Sequence, residues 1–429
     1  MLVDVRYGPL SAIADINPPT QTSGLASDTP ISFVPMADVS NDGQWANHQT
    51  RPLQEVKAGH TSFREGDVLF AKITPCTENG KGAHAVGLVN GLGFGSTEFH
   101  VLRPKHPGSA RFIYHWCQSE VLRQKAAAVM TGSAGQQRVP AGFFDEFHIA
   151  LLPLPEQRRI AEILDAADEA VRQMERVITK LKAVKAGLLH DLLTHGLDEH
   201  GHLRDPQAHL EQFKDSPLGR IPGVWEVTRL EAVGSRSRPY VKTGPFGSIL
   251  KGEHWVDEGI PVITIGSLGE GEFINSELLF ITESKAQSLE SYKVKAGDLV
   301  FSRVADVGRS VVISDDEDGW IMSSNLMRIC LDHSMIVPDF AYYNLVHNSK
   351  ALQQIRQFVN AGGRDIANTA VLNSLIFAWP PLEEQVRIVE TAHIHDSRIR
   401  AEEATLVKLR QVKHGLMDDL LTGRVRVSP

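Results

Sequence analysis

The chain has 429 residues, of which 42% are hydrophobic, so it can bury enough apolar surface for two to three domains. Its net charge of −8 at pH 7 counts against a uniformly basic nucleic-acid-binding protein, although it allows a local basic face. No basic stretch followed by an apolar run opens the sequence, no run of about 18 apolar residues occurs, and the three cysteines lack a Cys-x-x-Cys spacing. We expect a cytoplasmic protein without a membrane span, a disulfide framework or a structural zinc ion.

Residues 1–152 are predicted to form a first mixed α/β domain. Residues 66–72 form a turn that leads into an apolar run, which is typical of a strand buried on both faces. Residues 112–114 open an apolar stretch typical of a helix. A glycine-rich loop at residues 132–138 comes before the next element.

Residues 153–195 are predicted to form one long helix. Prolines and Glu156 stand at its start, where both residue types are favoured, and Gly196 follows its end. Apolar residues recur at alternating steps of four and three, which is the pattern of a coiled-coil seam. The seam consists of Ile160, Leu164, Ala167, Val171, Met174, Ile178, Leu181, Leu188 and Leu192.

Residues 196–223 are polar and contain glycine and proline, so they are predicted to be a linker. Residues 224–380 are predicted to form a second domain similar to the first. Within it, residues 297–303 and 340–342 resemble the strand and helix segments described above.

The strongest internal similarity lies between residues 153–194 and 381–422, which match without a gap at a constant offset (381 − 153 = 228). Residues 381–423 are therefore predicted to form a second long helix, followed by a tail at residues 424–429. Its matched seam consists of Ile388, Ala392, His395, Ile399, Glu402, Leu406, Leu409, Leu416 and Leu420.

The predicted fold class is α/β (α+β): two similar domains separated by a pair of long antiparallel coiled-coil helices, with pseudo-two-fold symmetry. Each helix is the most economical partner for the seam of the other. Both seams contain a lysine, Lys185 and Lys413. These lysines are either solvated near fraying helix ends or fix the register of the helices, as polar seam residues do.

No complete catalytic motif occurs in the sequence. Asn17-Pro-Pro-Thr20 is similar to the Asn/Asp-Pro-Pro-aromatic motif of adenine-N6 methyltransferases, but threonine occupies the aromatic position, and a plain turn is favoured. The Gly-x-x-x-x-Gly-Lys-Ser/Thr loop that binds ATP is also missing. We expect a chain that is not an enzyme and binds no metal ion.

Several motifs occur in order along the chain, and those of the long helices occur twice. They are Pro153-Leu-Pro-Glu-Gln with Arg159-Ile160, Pro381-Leu-Glu-Glu-Gln with Arg387-Ile388, the helix ends Asp191-Leu-Leu-Thr and Asp419-Leu-Leu-Thr, residues 213–222 with Trp225-Glu-Val, and Thr243-Gly-Pro-Phe-Gly-Ser248. Together the motifs resemble those of the specificity (S) subunits of Type I restriction-modification systems, over essentially the whole chain. The opening of the first domain departs from the pattern because it lacks a counterpart of Trp225-Glu-Val.

The resemblance implies two target-recognition domains that each read one half of a bipartite sequence in double-stranded DNA, with helices that set the spacing. It also implies two modification subunits, which dock on the helices and carry the S-adenosylmethionine site, and a motor-nuclease restriction subunit that joins for cleavage. The chain itself would hold no cofactor. Two alternatives are a self-contained adenine-N6 DNA methyltransferase or fused restriction enzyme, and a coiled-coil adaptor that does not bind DNA.

Candidate DNA contacts are cationic, amide and aromatic side chains close to glycine, because such residues suit base edges and phosphates. The alternative for these segments is an ordinary solvated loop. Matched strand ends add Lys72 and Arg303 as phosphate contacts or structural pairs. The remaining candidates are Gln136, Gln137 and Arg138 in the first domain, Arg364 as their approximate counterpart, and Arg236, Arg238, Tyr240, Lys242, Gly244 and Phe246 in the second domain.

Overall fold

The computed structural model describes residues 6–41, 43–133, 135–247, 249–304, 307–361 and 366–428, without the side chains of residues 360 and 361. The chain divides into two compact units, Met1–Arg176 with Glu403–Pro429, and Val177–Glu402. Over the described residues, no helix has the length and apolar character needed to cross a membrane.

The first unit combines short strands with helices. The strands are β1 (Tyr7–Pro9), β2 (Ala14–Ile16), β3 (Pro30–Val34), β4 (Gln49–Pro52), β5 (Thr61–Arg64), β6 (Val68–Ala71), β7 (Gly82–His84), β8 (Leu92–Gly95), β9 (Phe99–Pro104) and β10 (His148–Ala150). The helices are α1 (Leu53–Val56), α2 (Ala110–Gln118), α3 (Glu120–Ala128), α4 (Phe143–Glu146) and α5 (Leu154–Thr194), of which α5 continues into the second unit.

The second unit has the same kind of composition. Its strands are β11 (Phe213–Ser216), β12 (Gly219–Pro222), β13 (Glu226–Arg229), β14 (Val241–Thr243), β15 (Trp255–Val256), β16 (Ile260–Ile263), β17 (Leu279–Ile281), β18 (Leu299–Ser302), β19 (Ser310–Val312), β20 (Ile321–Met322), β21 (Leu326–Ile329) and β22 (Ile376–Trp379). Its helices are α6 (Glu283–Ser288), α7 (Pro338–His347), α8 (Ser349–Ala361), α9 (Thr369–Ser374) and α10 (Leu382–Leu421), of which α10 continues into the first unit.

The two units share their sheet topology. A four-stranded antiparallel sheet of order β2-β9-β6-β7 in the first unit corresponds to β14-β21-β18-β19 in the second. The strands predicted to be buried on both faces are β6 and β18, and every residue of both is buried. A ribbon of β1 and β10 corresponds to β13 and β22, so the first domain has the same opening strand although it lacks the tryptophan.

A second sheet in each unit contains one parallel pair. Its strand order is β4-β3-β8-β5 in the first unit, with β3 parallel to β8, and β15-β17-β16-β20 in the second, with β16 parallel to β20. These sheets complete the mixed α/β character of both domains.

The two long helices agree with the predicted ones to within one or two residues at each end. A glutamine in the first turn of each fixes its start, since Gln157 Nε2 donates to the carbonyl oxygen of Leu152 at 2.8 Å and Gln385 Nε2 to that of Pro380 at 2.9 Å. The glycine after each helix has a positive φ, as expected for a left-handed C-terminal cap.

The predicted seams face the protein interior. In the first unit, Ile160 and Leu164 of α5 share a core with Leu420 of α10, and in the second unit Leu192 of α5 shares a core with Ile388 of α10. The start of one helix thus packs beside the end of the other in each unit, which is an antiparallel arrangement. None of the predicted seam residues is exposed. All are buried or half-buried, among them Ile160, Leu164, Val171, Ile178, Leu181, Leu188, Ile388, Ile399, Leu406, Leu409, Leu416 and Leu420.

The segment predicted as a linker has regular structure. Strands β11 and β12 form a hairpin within it, and Leu197 pairs with Leu203 in an isolated bridge. Leu197 and Ile221 are buried in the core of the second unit. Its apolar residues are too sparse to give a periodic pattern, but they are enough to anchor the segment.

Candidate functional site

The loop that carries Arg138 in the first unit is fixed to the sheet by its backbone. The amide of Arg138 donates to the carbonyl oxygen of Thr131 at 2.8 Å, the amide of Val139 donates to that of Lys72 at 2.8 Å, and the amide of Thr74 donates to that of Gln137 at 3.0 Å. The loop therefore projects from the end of β6 at a defined position.

The guanidinium of Arg138 is bound to Glu98, which precedes β9. Arg138 Nε donates to Oε2 of Glu98 at 2.9 Å and Nη2 donates to Oε1 at 2.8 Å, while Nη1 donates to the carbonyl oxygen of Gln136 at 3.0 Å. These bonds from Arg138 lower the pKa of Glu98 below its usual value, and the carboxylate in turn raises the pKa of Arg138. Both groups are charged near neutral pH.

The other candidates in the first unit surround this pair. Gln136 is exposed and Gln137 and Lys72 are half-buried. The positive charge of Lys72 also contributes to lowering the pKa of Glu98, which places it close to the pair. The structure therefore brings together the four predicted residues of the first domain, and sequence reasoning missed Glu98 because it lies 40 residues from Arg138.

The second unit shares two backbone hydrogen bonds with this part of the first unit but has different side chains there. The amide of Arg303 donates to the carbonyl oxygen of Asn325 at 3.1 Å, as that of Lys72 does to Glu98, and the amide of Ala367 donates to that of Arg303 at 2.8 Å. By these bonds Asn325 is the counterpart of Glu98, and Ile366 is the counterpart of Arg138. The predicted counterpart Arg364 lies outside the described residues.

Two of the candidates in residues 236–246 point towards the interior. Arg238 Nη2 donates to Oδ1 of Asp298, a carboxylate with 1% of its side chain exposed. The hydroxyl of Tyr240 is buried, and burial raises its pKa. Arg238 therefore compensates a buried charge, and Tyr240 packs against the core. Arg303 is half-buried as well, and its Nε is buried without a hydrogen-bond partner among the described residues.

The rest of this segment differs in exposure. Arg236 is exposed, and Lys242 Nζ lies 4.8 Å from the ring centroid of Tyr292. A Cβ atom at Gly244 would lie 1.8 Å from the carbonyl oxygen of Ser323, so the fold itself requires glycine at this position. The Phe246 side chain follows it and is 70% exposed, which is unusual for phenylalanine. Arg236, Lys242 and Phe246 remain available to a ligand.

A glutamate in the first turn of each long helix holds the chain segment that follows the other helix. In the first unit, Glu156 accepts hydrogen bonds from Arg426 Nε at 2.7 Å and Nη2 at 2.6 Å. In the second unit, Glu384 accepts from Arg204 Nη1 at 2.6 Å and Nη2 at 3.0 Å, and from Trp225 Nε1 at 3.0 Å. We call these two contacts the joints. Both glutamates can be recognised in the sequence as matched repeat positions, whereas the sequence alone does not identify the residues that bind them.

The two seam lysines each pair with an aspartate of the other helix. Lys413 Nζ lies 2.5 Å from Oδ1 of Asp168 in the first unit, and Lys185 pairs with Asp396 in the second. The four residues correspond across the repeat, because both pairs are related by the offset of 228 residues (168 + 228 = 396; 185 + 228 = 413). The alternative of solvated lysines at fraying helix ends is therefore wrong.

A cluster around Asp168 has donor atoms suited to a metal ion. Ligand atoms of His115, Asp165 and Asp168 lie within 4.8 Å of one another, and burial lowers the pKa of His115. Arg111 already pairs with Asp165, and Lys413 with Asp168. Because these cations balance the carboxylates, we assign the cluster a structural role in holding α2 against the long helices.

A comparison with protein families matches both halves of the chain. The model described as the Type I restriction modification DNA specificity domain matches residues 17–183 and 225–411, which together cover most of the chain. The chain belongs to this family. Each match of the Type I specificity domain spans one α/β domain and most of the long helix that follows it.

Curated Type I specificity subunits are similar to parts of this chain. The EcoAI specificity subunit of Escherichia coli is 38% identical over 170 residues, which cover 38% of this chain and 28% of that subunit. The MjaVIII specificity subunit of Methanocaldococcus jannaschii is 25% identical over 311 residues, which cover 71% of this chain and 68% of that subunit. The chain thus spans about a quarter of the length of two E. coli relatives, 28% for EcoAI and 25% for EcoEI.

Solved structures of Type I systems have a similar fold. A chain from a structure on complex assembly and conformational transition of the type I R-M system aligns with a TM-score of 0.59 at 20% identity, covering 98% of both chains. The S subunit from M. genitalium aligns with a TM-score of 0.54 at 14% identity, covering 98% of this chain and 96% of that one. At these identities the likeness shows the fold, and it confirms the predicted fold class.

Proposed function

We propose that this chain is the DNA-recognising subunit of a Type I restriction-modification complex, in which each domain reads one half of a bipartite target. The observation that carries the proposal is the duplication of one specificity domain in two units with the same topology and different loop side chains. A repeat that keeps its scaffold and varies its surface residues suits the recognition of two different sequences.

The proposal explains why the net charge is negative. The chain has 44 lysine and arginine residues against 52 aspartate and glutamate residues, so DNA affinity must come from local groups and from partner subunits. Arg236, Lys242 and Phe246 in the second unit, and the Arg138 loop in the first, are groups that could contact DNA.

The proposed partners are double-stranded DNA, two modification subunits and a restriction subunit. The modification subunits would bind S-adenosylmethionine and transfer its methyl group to adenine, so this chain would act without a cofactor of its own and without catalytic groups, in the cytoplasm. Neither the methyltransferase alternative nor the adaptor alternative has support from the relatives found.

Methylation sequencing of a methylation-deficient host tests the proposal. We expect the chain expressed with its modification subunit to produce adenine methylation at one bipartite motif, and the modification subunit alone to produce none. Unchanged methylation in the presence of a modification subunit that is active with another specificity subunit would overturn the proposal.

A further inference from the structure

Arg138 has a fixed orientation, unlike most arginines that are substantially exposed. The side chain of Arg138 is 42% exposed, whereas the side chain of Glu98, which binds its guanidinium, is only 23% exposed. The backbone on either side is also fixed, because Arg138 pairs with both Ile73 and Thr131 in isolated bridges. The conformational entropy of this long side chain is therefore lost on folding and not on binding.

Among the described residues, the hydrogen bonds of Arg138 leave two of its N–H groups without an acceptor. An arginine has five N–H groups, one on Nε and two on each terminal nitrogen. Glu98 takes one from Nε and one from Nη2, and the carbonyl oxygen of Gln136 takes one from Nη1. One N–H group on Nη1 and one on Nη2 have no acceptor among the described residues, and donors on these two nitrogens can together bind O6 and N7 of guanine in the major groove.

The duplication provides a comparison within the same molecule. At the position equivalent to Glu98 the second unit has Asn325, and at the position equivalent to Arg138 it has Ile366, although the backbone hydrogen bonds that define these positions occur in both units. An ion pair at this position is therefore not needed for the fold of the domain. The ion pair between Arg138 and Glu98 is one of the features that distinguish the first domain from the second.

We propose that Arg138 reads a guanine in the half of the target bound by the first domain, and that Glu98 is the positioning residue that holds its guanidinium in place. The inference rests on the proposed function and adds to it the identity of one base in the target. The second domain, which lacks both residues, reads its half-site without this contact.

The test measures base preference with the full chain bound to its modification subunits. After methylation sequencing has defined the target, duplexes substituted at each position in turn are competed against it. For Arg138→Ala we expect the preference for guanine at one G·C pair of one half-site to fall about 5- to 140-fold, the range for a bidentate contact of ~1–3 kcal/mol. Preferences in the other half-site should stay as in the wild type.

Arg138→Lys separates base reading from phosphate binding. Lysine keeps the charge but not the planar pair of donors, so we expect it to lose the guanine preference while keeping the salt dependence of binding. The proposal is overturned if Arg138→Ala weakens binding equally to all duplexes and Arg138→Lys restores it, because that behaviour belongs to a phosphate contact.

Glu98→Gln tests the positioning role. The amide keeps the shape but has one acceptor oxygen, so we expect a weaker guanine preference with overall affinity unchanged or raised, since a negative charge is removed near DNA. An unchanged preference would show that Arg138 does not depend on Glu98. Arg64→Ala, at an exposed arginine of the same unit, is the matched control for loss of charge, and it should leave every base preference intact.

The outcomes also separate this inference from the proposed function. A complex that methylates no specific motif contradicts the proposed function itself. A complex that keeps a specific bipartite motif, while Arg138→Ala changes no base preference in it, contradicts only the role of Arg138.

Discussion

Lys413 and Asp168 form an ion pair in the helix seam, and the residues at the matched repeat positions, Lys185 and Asp396, form the same pair in the other unit. Asp396 also accepts a hydrogen bond from the Tyr343 hydroxyl at 2.6 Å, whereas Nδ1 of His115 lies 4.0 Å from Oδ2 of Asp168. Moving one helix by a turn would break both ion pairs, so they fix the register of the antiparallel helices.

Lys413→Met should lower the free energy of unfolding by about 1–3 kcal/mol. The substitution leaves the carboxylate of Asp168, which is 9% exposed, without its closest cation, and a buried group that loses its partner costs an amount of this order. Urea unfolding measures the change. Lys408→Met, at an exposed position of the same helix, is the control and should alter stability by less than about 0.5 kcal/mol. Equal effects of the two substitutions would contradict a structural role for the pair.

The joint between Glu156 and Arg426 should make stability depend on pH. Hydrogen bonds from Arg426 are the largest influence on the pKa of Glu156, and they lower it although burial opposes them. The folded-state pKa is then below the unfolded value of about 4.3, so charged Glu156 stabilises the fold above that pH. This contribution is lost as the pH falls through the folded-state pKa.

Glu156→Gln measures that contribution directly. We expect the wild type to be more stable than the variant at pH 7, and the difference to narrow as the pH is lowered from 5 to 3 in urea unfolding. Glu162→Gln removes a carboxylate that is 65% exposed and pairs with Arg159 in the same helix, so it should show almost no difference at any pH. A gap between wild type and Glu156→Gln that is the same at pH 3 and pH 7 would contradict the assignment.

Arg238 and Arg236 should behave differently although they are two residues apart. Arg238→Ala leaves buried Asp298 without its closest guanidinium, and we expect it to destabilise the second unit by about 1–3 kcal/mol. Arg236→Ala removes an exposed side chain and should leave the unfolding midpoint unchanged while weakening DNA binding by the full complex. Thermal unfolding and DNA titration together check this. A stable Arg238→Ala variant with reduced DNA affinity would restore Arg238 as a DNA contact.

Shortening both helices together should change the spacing of the target and not its sequence. Deleting residues 171–177 and 399–405 removes one heptad from each helix at matched positions, and seven residues of helix rise about 10 Å, close to three base pairs. We expect methylation sequencing to find both half-sites unchanged with a shorter spacer. Deletion from only one helix is the control, because it mismatches the seams and should abolish methylation. Altered half-sites would contradict the separation of reading from spacing.

The long-range architecture could be predicted from the sequence because it depends on periodicity and repetition. Seam residues such as Ile160 and Ile388 recur at regular steps, and the offset of 228 residues identifies them twice. The direction of individual polar side chains could not be predicted, because it depends on partners far along the chain. Arg238 looked like part of a cationic patch, but Asp298, 60 residues away, draws it inward.

The same limit applies to segments that contain few apolar residues. The predicted linker is polar on average, yet buried Leu197 and Ile221 and the contact of Arg204 with Glu384 give it a defined structure. Likewise, Gly244 suggested close approach of a ligand, whereas the approaching group is the backbone of Ser323. In each case the local structure depends on a tertiary contact that leaves no periodic pattern in the sequence.

The joints have a consequence for how a gene of this kind diversifies. The chain after α5 and the chain after α10 are held by the same type of contact, an arginine on the first-turn glutamate of the other helix. Exchange of the coding segment between the two helices would replace the second domain together with Arg204, and an incoming segment that carries the same arginine would still bind Glu384. A different second domain can therefore be joined to the same pair of long helices without a change in the helices themselves.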